Sequence, residues 1–206
     1  MTQLRSYIFL DQLQPQTMCF LGANQRGFLP RANDAAMVVE VAPGMDIEYL
    51  TDIALKQNDV KPGNLVVERQ FGYLEFHAQL SASVQAAGSE ILHAIGARET
   101  DAIAPEVLSS TVVDRVDNLH SFMINRNKTG SMLLPGESLF MLETAPAAYA
   151  LLAVNEAEKV SDVKLVECRW MGAAGRIYMS GTASGVRSAQ EAAENALRAI
   201  AGRIGG

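Results

Sequence analysis

The chain is one sequence written twice, and a tandem duplication constrains the fold more than any local pattern, because both copies must be able to build the same unit. SLFMLETAPAAYALLAVNEAEKVSDVKLVECRWMG at residues 138–172 echoes AMVVEVAPGMDIEYLTDIALKQNDVKPGNLVVERQFG at residues 36–72. Glu40 matches Glu143, Pro43 matches Pro146, Ala54 matches Ala157, Lys56 matches Lys159, Asp59 matches Asp162 and Val60 matches Val163, each 103 positions apart in a chain of 206. Gly72 then aligns with Gly172, which implies about three extra residues in the first copy around Lys61-Pro62-Gly63-Asn64. The division expected is therefore into two domains, 1–103 and 104–206, with Pro105 at the junction.

Each copy reads as strand, helix, strand, turn, strand, helix. MVVEVA at Met37–Ala42 is rich in β-branched residues, and Ile47, Leu50, Ile53, Ala54 and Gln57 follow at helical spacing. Pro62-Gly63 reads as a turn, LVVER as a strand, and YLEFHAQL alternates as its hairpin partner, with Leu74, Phe76 and Ala78 on one face and Glu75 and His77 on the other. Val84, Ala87, Gly88, Ile91, Leu92 and Ile95 form the apolar stripe of the last helix. In the second copy SLFMLET, Ala147–Val160, VKLVECR and GRIYMSG repeat the plan, and Val186, Ala189, Ala193, Ala196, Leu197 and Ile200 form the closing stripe. A looser segment of roughly 35 residues precedes each core; GFLP at Gly27–Pro30 sets Leu29-Pro30 over Leu134-Pro135, and YIFLD and VVDRV read as leading strands.

Composition removes several function classes. Apolar residues make up 49% of the chain, enough for two cores, while charged residues make up 19% and the net charge is −6, so the basic footprint of a nucleic-acid binder is missing. No apolar run has the length of a signal peptide or a bilayer span, which predicts a soluble, cytoplasmic protein without membrane contact. Cys19 and Cys168 are far apart, and His77, His93 and His120 lack metal-ligand spacing, so neither a disulfide, a metal site nor another cofactor is expected. Phosphate-binding loops, nucleophile elbows and zinc-protease motifs are absent from the sequence, which points away from an enzyme.

LETAPAAYALLAVNEAEKVSDVKLVE followed by GAAGRIYMSGTASGVRSAQEAAENA resembles the bacterial microcompartment shell domain, and VEVAPGMDIEYLTDIALKQNDV carries the same pattern in the first copy. Each copy has its extra segment in front and almost nothing behind, which is the arrangement of the circularly permuted form. The chain thus resembles the permuted tandem-domain shell proteins, including the carboxysome kind whose trimers stack face to face. The resemblance implies an α/β (α+β) fold of two permuted domains, with ferredoxin-like antiparallel sheets flanked by helices. It implies a homotrimer that mimics a hexamer, stacks into a dimer of trimers in some relatives, tiles with other shell hexamers and pentamers, and passes small metabolites through a central pore.

The same resemblance assigns roles to residues. Glu68-Arg69, with Gln70 and Phe71, matches the pore-lining Glu-Arg pair, where three carboxylates and three guanidiniums around an axis would close a hole through charge-assisted hydrogen bonds. Cys168-Arg169 reads as the second-copy counterpart. A lone cysteine on an apolar strand reads as buried and inert, against the thiolate cluster that some unpermuted relatives hold at their axis. Lys56 and Lys159 occupy the position of the lysine that lies along the seam between neighbouring oligomers, and Asp59 and Asp162 close that motif. A lysine there also favours the helix macrodipole. The competing reading is a soluble small-molecule sensor on a duplicated ferredoxin-like scaffold.

Overall fold

Two units, each with a four-stranded antiparallel sheet, make up the computed structural model, which describes residues 2–24, 27–56 and 58–205. One unit comprises Met1–Ala104 together with Ala201–Gly206, and the other Pro105–Ile200. The first unit runs β1 (Gln3–Leu10), α1 (Pro15–Asn24), β2 (Ala35–Ala42), α2 (Asp46–Lys56), β3 (Lys61–Glu68), β4 (Phe71–Ala78) and α3 (Ser81–Ile95), with sheet order β1-β2-β4-β3. The second runs β5 (Glu106–Val113), α4 (Asn118–Asn125), β6 (Ser138–Ala145), α5 (Tyr149–Val160), β7 (Lys164–Arg169), β8 (Gly175–Gly181) and α6 (Ala183–Arg198), with order β5-β6-β8-β7. The α/β class and the flanked antiparallel sheets expected of permuted shell domains are both present.

The helices form where their ends are chemically marked. Asp46 and Glu48 sit in the first turn of α2 and Lys56 in its last, complementing the macrodipole at both ends. Gly96 closes α3 in the left-handed conformation at φ 63°, which costs a glycine nothing. Asp117 caps α4 by accepting from the Leu119 amide, and Thr182 caps α6 by accepting from the Gly185 amide. Alternate residues of β2, Met37, Val39 and Val41, meet Ile47, Leu50 and Ala54 of α2 and Val84, Ala87 and Ile91 of α3 in one apolar core. Gln57, assigned by spacing to the stripe of α2, lies outside the described residues.

Three details differ from the sequence reading. The segments ahead of each core contain helices α1 and α4, which apolar periodicity does not announce. The strand assigned to VVDRV runs earlier, over Glu106–Val113, because its partner β6 ends the ladder at Leu139 opposite Val113. Pro62-Gly63 is no turn: the pair lies inside β3, where the register against β4 slips between Pro62 and Asn64 as a β-bulge.

That bulge removes the gap inferred between the copies. The second hairpin slips between Leu165 and Glu167, and the leading strands slip at Leu4/Ser6 and Val107/Ser109. Met37 pairs with Phe76 as Phe140 pairs with Met179, and Val41 pairs with Gly72 as Thr144 pairs with Gly175. Every one of these pairs stands 103 apart, so Gly72 corresponds to Gly175 rather than to Gly172. Likewise Gly27 and Gly130 donate to Gly63 and Val166 in the two copies, which sets Leu29 over Met132 rather than over Leu134. The cis Ala42–Pro43 and Ala145–Pro146 bonds keep the same spacing.

The chain end returns to the first unit. Arg203 bridges in parallel to Ile103, its guanidinium donates to the carbonyls of Asp101 and Leu4, and the Ala104 amide donates to the Arg203 carbonyl. Residues 201–205 therefore belong with the first copy, not with the 104–206 half, because their backbone hydrogen bonds are made there.

At the start of β4 and β8 the sheet touches the turn that leads from β2 into α2 and from β6 into α5. A Cβ on Gly72 would lie 2.2 Å from the Gly44 carbonyl oxygen and 2.7 Å from Ile47 Cβ; on Gly175 it would lie 2.2 Å from the Ala147 oxygen and 2.9 Å from Ala150 Cβ. Gly72→Ala is expected to destabilise the protein by about 1–3 kcal/mol in urea unfolding, through forced backbone shifts. An unchanged midpoint would show that the strand has room to move.

Candidate functional site

Strands β3 and β4 meet in a tight hairpin whose tip is Arg69-Gln70, flanked by the paired residues Glu68 and Phe71. Arg69 adopts φ 55°, in the left-handed region that disfavours side-chain-bearing residues. Its side chain is 90% exposed and that of Glu68 40% exposed, with Arg69 Nε 3.9 Å from Glu68 Oε1. Gln70 is exposed as well. Within the unit the tip therefore offers one acid, one base and one amide to whatever faces it.

Phe71 is placed differently. The Arg5 guanidinium stacks over its ring at 3.8 Å, and Arg5 Nε donates to Glu40 Oε1 at 2.6 Å. Glu40 is fully buried in the middle of the sheet, so its charge needs a partner, and Arg5 supplies it from the bulge in β1. Phe71 is thus pinned at the base of the hairpin while Glu68, Arg69 and Gln70 extend beyond it. The sequence does not reveal the role of Arg5, because the β-bulge that aims it inward has no local signature.

The strand register corrects the second copy. Cys168 lies opposite Ile177 as Leu65 lies opposite Leu74, and Arg169 lies opposite Arg176 as Val66 lies opposite Tyr73. Cys168-Arg169 therefore corresponds to Leu65-Val66, and the residues that correspond to Glu68-Arg69 are Met171-Gly172. Gly172 has φ 113°, so the left-handed position of the turn is held by glycine in one copy and by arginine in the other. Cys168 is buried, and desolvation, reinforced by the neighbouring Glu167 charge, pushes its thiol well above the usual range. Arg169 points back to Glu167, Nε to Oε1 at 3.2 Å.

Lys56 and Lys159 close equivalent helices with different neighbours. Lys56 pairs with Asp52 at 2.5 Å and is mostly exposed, whereas Lys159 pairs with Glu156 at 2.8 Å and is largely covered. Asp59 and Asp162 are exposed just beyond the two helix ends, with Lys61 Nζ 3.9 Å from Asp59. Among the described residues no three histidine, cysteine or carboxylate groups converge on a metal-sized space, and no helix is long and apolar enough to cross a membrane.

Arginine at a left-handed turn position makes a clean test of what the tip is for. Arg69→Gly relieves the backbone and removes the charge, and is expected to leave unfolding free energy unchanged or raised by up to about 1 kcal/mol. A loss above that size would mean that the side chain supports the fold itself.

Comparison with known proteins agrees with this architecture. The family described as the CsoS1D N-terminal domain matches residues 4–101. The carboxysome shell protein CsoS1D of Hydrogenovibrio crunogenus is 43% identical over 201 residues, covering 97% of this chain and 98% of that protein. The solved fused permuted hexameric shell protein MSM0275 from the RMM microcompartment is 57% identical, with a TM-score of 0.95 over 98% of this chain and 99% of the other. The double-ringed trimeric shell protein MSM0271 of the same microcompartment is 38% identical, with a TM-score of 0.95 over the full length of both. Two sheets of one topology, a constant offset between copies and full-length similarity to these proteins place the chain in the family of permuted, tandem-domain microcompartment shell proteins.

Proposed function

We propose that the chain is a structural tile of a microcompartment shell rather than an enzyme, and that three chains form a pseudohexamer around a pore lined by the β3–β4 hairpins. The observation that carries this reading is the constant 103-residue offset in pairing, bulges and turns. Two units of one build per chain let a threefold ring supply six near-equivalent wedges, which closed cyclic symmetry turns into a disc with an axial hole. The full-length relatives named above, described as trimeric or hexameric shell proteins, point the same way.

In such a ring only three of the six hairpin tips carry charge. Glu68 and Arg69 alternate with Met171 and Gly172, so closure rests on pairs between first-unit tips, each guanidinium reaching the carboxylate of a neighbouring chain. Swinging outward exchanges those pairs for water. Exposed pairs contribute about 0–1 kcal/mol each, so open and closed forms lie close in energy and a passing metabolite, a stacked second ring or a lateral packing change suffices to shift them. Phe71, held under Arg5, forms the fixed rim against which the tips move.

A particle of three 22.2-kDa chains, about 67 kDa, or twice that for a stacked pair, is expected by light scattering. Glu68→Ala with Arg69→Ala is expected to keep that mass and leave the axis open in every particle imaged. Wild-type structures with both residues remote from the threefold axis would overturn the gate.

Lys56, Asp59, Lys159 and Asp162 are assigned to the seam with neighbouring hexamers or pentamers, where a lysine stem packs along a flat edge and its tip reaches a facing carbonyl. Lys56→Ala is expected to impair sheet formation seen by electron microscopy at unchanged ring mass. Normal sheets from that variant would remove Lys56 from the seam.

A further inference from the structure

The sheet face that α4 covers in part carries a set of charges in the second unit that the first unit lacks. Cross-strand neighbours share a face, and the pairings Glu143↔Arg176↔Arg169 and Met141↔Tyr178↔Glu167 put these six side chains on one side of the sheet. Arg169 and Arg176 thus stand directly opposite each other, an arrangement that repulsion disfavours. Each is tied to a single carboxylate. Arg169 Nε donates to Glu167 Oε1 at 3.2 Å, and Arg176 reaches Glu143 Oε1 through Nε at 2.9 Å and Nη2 at 2.8 Å. Lys128 joins them from the loop after α4, its Nζ 4.0 Å from the centre of the Tyr178 ring. In the first unit Val66 and Tyr73 stand where the two arginines stand here.

The donors of this cluster are accessible and under-used. The Arg169 and Arg176 side chains are 57% and 50% exposed, and Lys128 is half-buried. The terminal nitrogens of Arg169, Nη1 of Arg176 and Nζ of Lys128 donate to no protein acceptor among the described residues. Burial lowers the Lys128 pKa, and Arg169 and Arg176 deepen that shift against the opposing Glu167 charge, so the three cations repel one another. Beside them a cavity of about 200 Å3 opens on the same face, with Ser109, Thr111, Met141, Glu143, Arg176 and Tyr178 among its lining. In the first unit the counterparts Ser6, Glu40 and Tyr73 are fully buried, and that face is sealed.

The strand order gives the site two ends. Arg169 lies on β7 at one side, Ser109 and Thr111 lie on β5 at the other, and Glu143 stands between them on β6. Three cations against two carboxylates leave a surplus positive charge at the Arg169 end. A second anionic group reaching along the cavity would meet Glu143, whereas a neutral tail would meet Met141, the Tyr178 ring and two hydroxyls. We propose that this face of the second unit binds a small phosphomonoester with a neutral tail, its phosphoryl group held by Lys128, Arg169 and Arg176 and its tail lying toward Ser109 and Thr111. A dianionic group with three acceptor oxygens suits converging guanidinium and ammonium donors and offsets their mutual repulsion. Every group belongs to one unit, and none stands at a hairpin tip or on the seam, so the site is independent of the gate.

Calorimetric titration of the whole purified protein with propyl phosphate, succinate and propionate, at about pH 8 where the phosphoryl group is dianionic, tests it. Propyl phosphate is expected to saturate one site per chain with a Kd of about 1 mM or tighter, succinate to bind about tenfold more weakly, and propionate not to saturate. Lys128→Met breaks no ion pair, and Arg169→Val installs the residue of the first copy; each should weaken propyl phosphate binding about tenfold. Lys61→Met in the first copy should leave binding unchanged. Lack of saturation by propyl phosphate at about 20 mM, equal affinity for propionate, two sites per chain, or wild-type affinity in both second-unit variants would each overturn the proposal.

Discussion

The contact on which both units depend is the near collision of a strand with the turn ahead of a helix. Gly72 and Gly175 let the sheet approach the carbonyls of Gly44 and Ala147 to a distance at which no side chain fits. With that point fixed, β4 and β8 can take only one register against β2 and β6, since a slip by one residue would push a Cβ into the turn and reverse every apolar side chain. Register in turn decides which residues stand at the hairpin tip. The identity of the tip is thus set by packing at its base, about a strand's width away from where it acts.

This explains what the sequence made legible and what it concealed. Identical residues at one spacing, such as Glu40 with Glu143 and Lys56 with Lys159, are enough to announce the duplication. The stripes of α2, α3 and α6 can be read because one face of each meets a sheet. Alternation in β4 also holds, with Phe76 and Leu74 in the core shared with α2 and α3, but Glu75 and His77 on the opposite face are buried as well and pair with each other through His77 Nδ1 instead of facing water. Helix α1 escaped notice because Pro15 opens it and a glycine interrupts its ten residues; α4 because Leu119, Phe122 and Met123 leave much of its apolar surface outside.

Composition alone misplaces the tip of the second hairpin. Pro62-Gly63 has the composition of a turn, and treating it as one invites a gap that brings Gly72 over Gly172 and Arg69 over Arg169. A bulge uses the same residue types without adding length to one copy relative to the other. Only pairing partners distinguish the two cases, and they replace an apparent second charged tip by Met171-Gly172. The copies have kept their frame and parted at several places: the tip; the carboxylates Asp34, which accepts from the Arg31 amide, and Glu137, which pairs with Lys164; and the buried pair Arg5–Glu40, whose counterpart Glu143 is served by Arg176 from another strand.

The returning tail has a consequence for how the molecule is made. Arg203 holds the Leu4 and Asp101 carbonyls and pairs with Ile103, so the edge of the earlier copy is finished by residues translated only after the whole core of the later one. Although its strands and helices leave the ribosome first, that unit remains without its closing clasp until the second copy has been synthesised. A chain truncated after Ile200 would carry its defect not at the severed end but in the half born first.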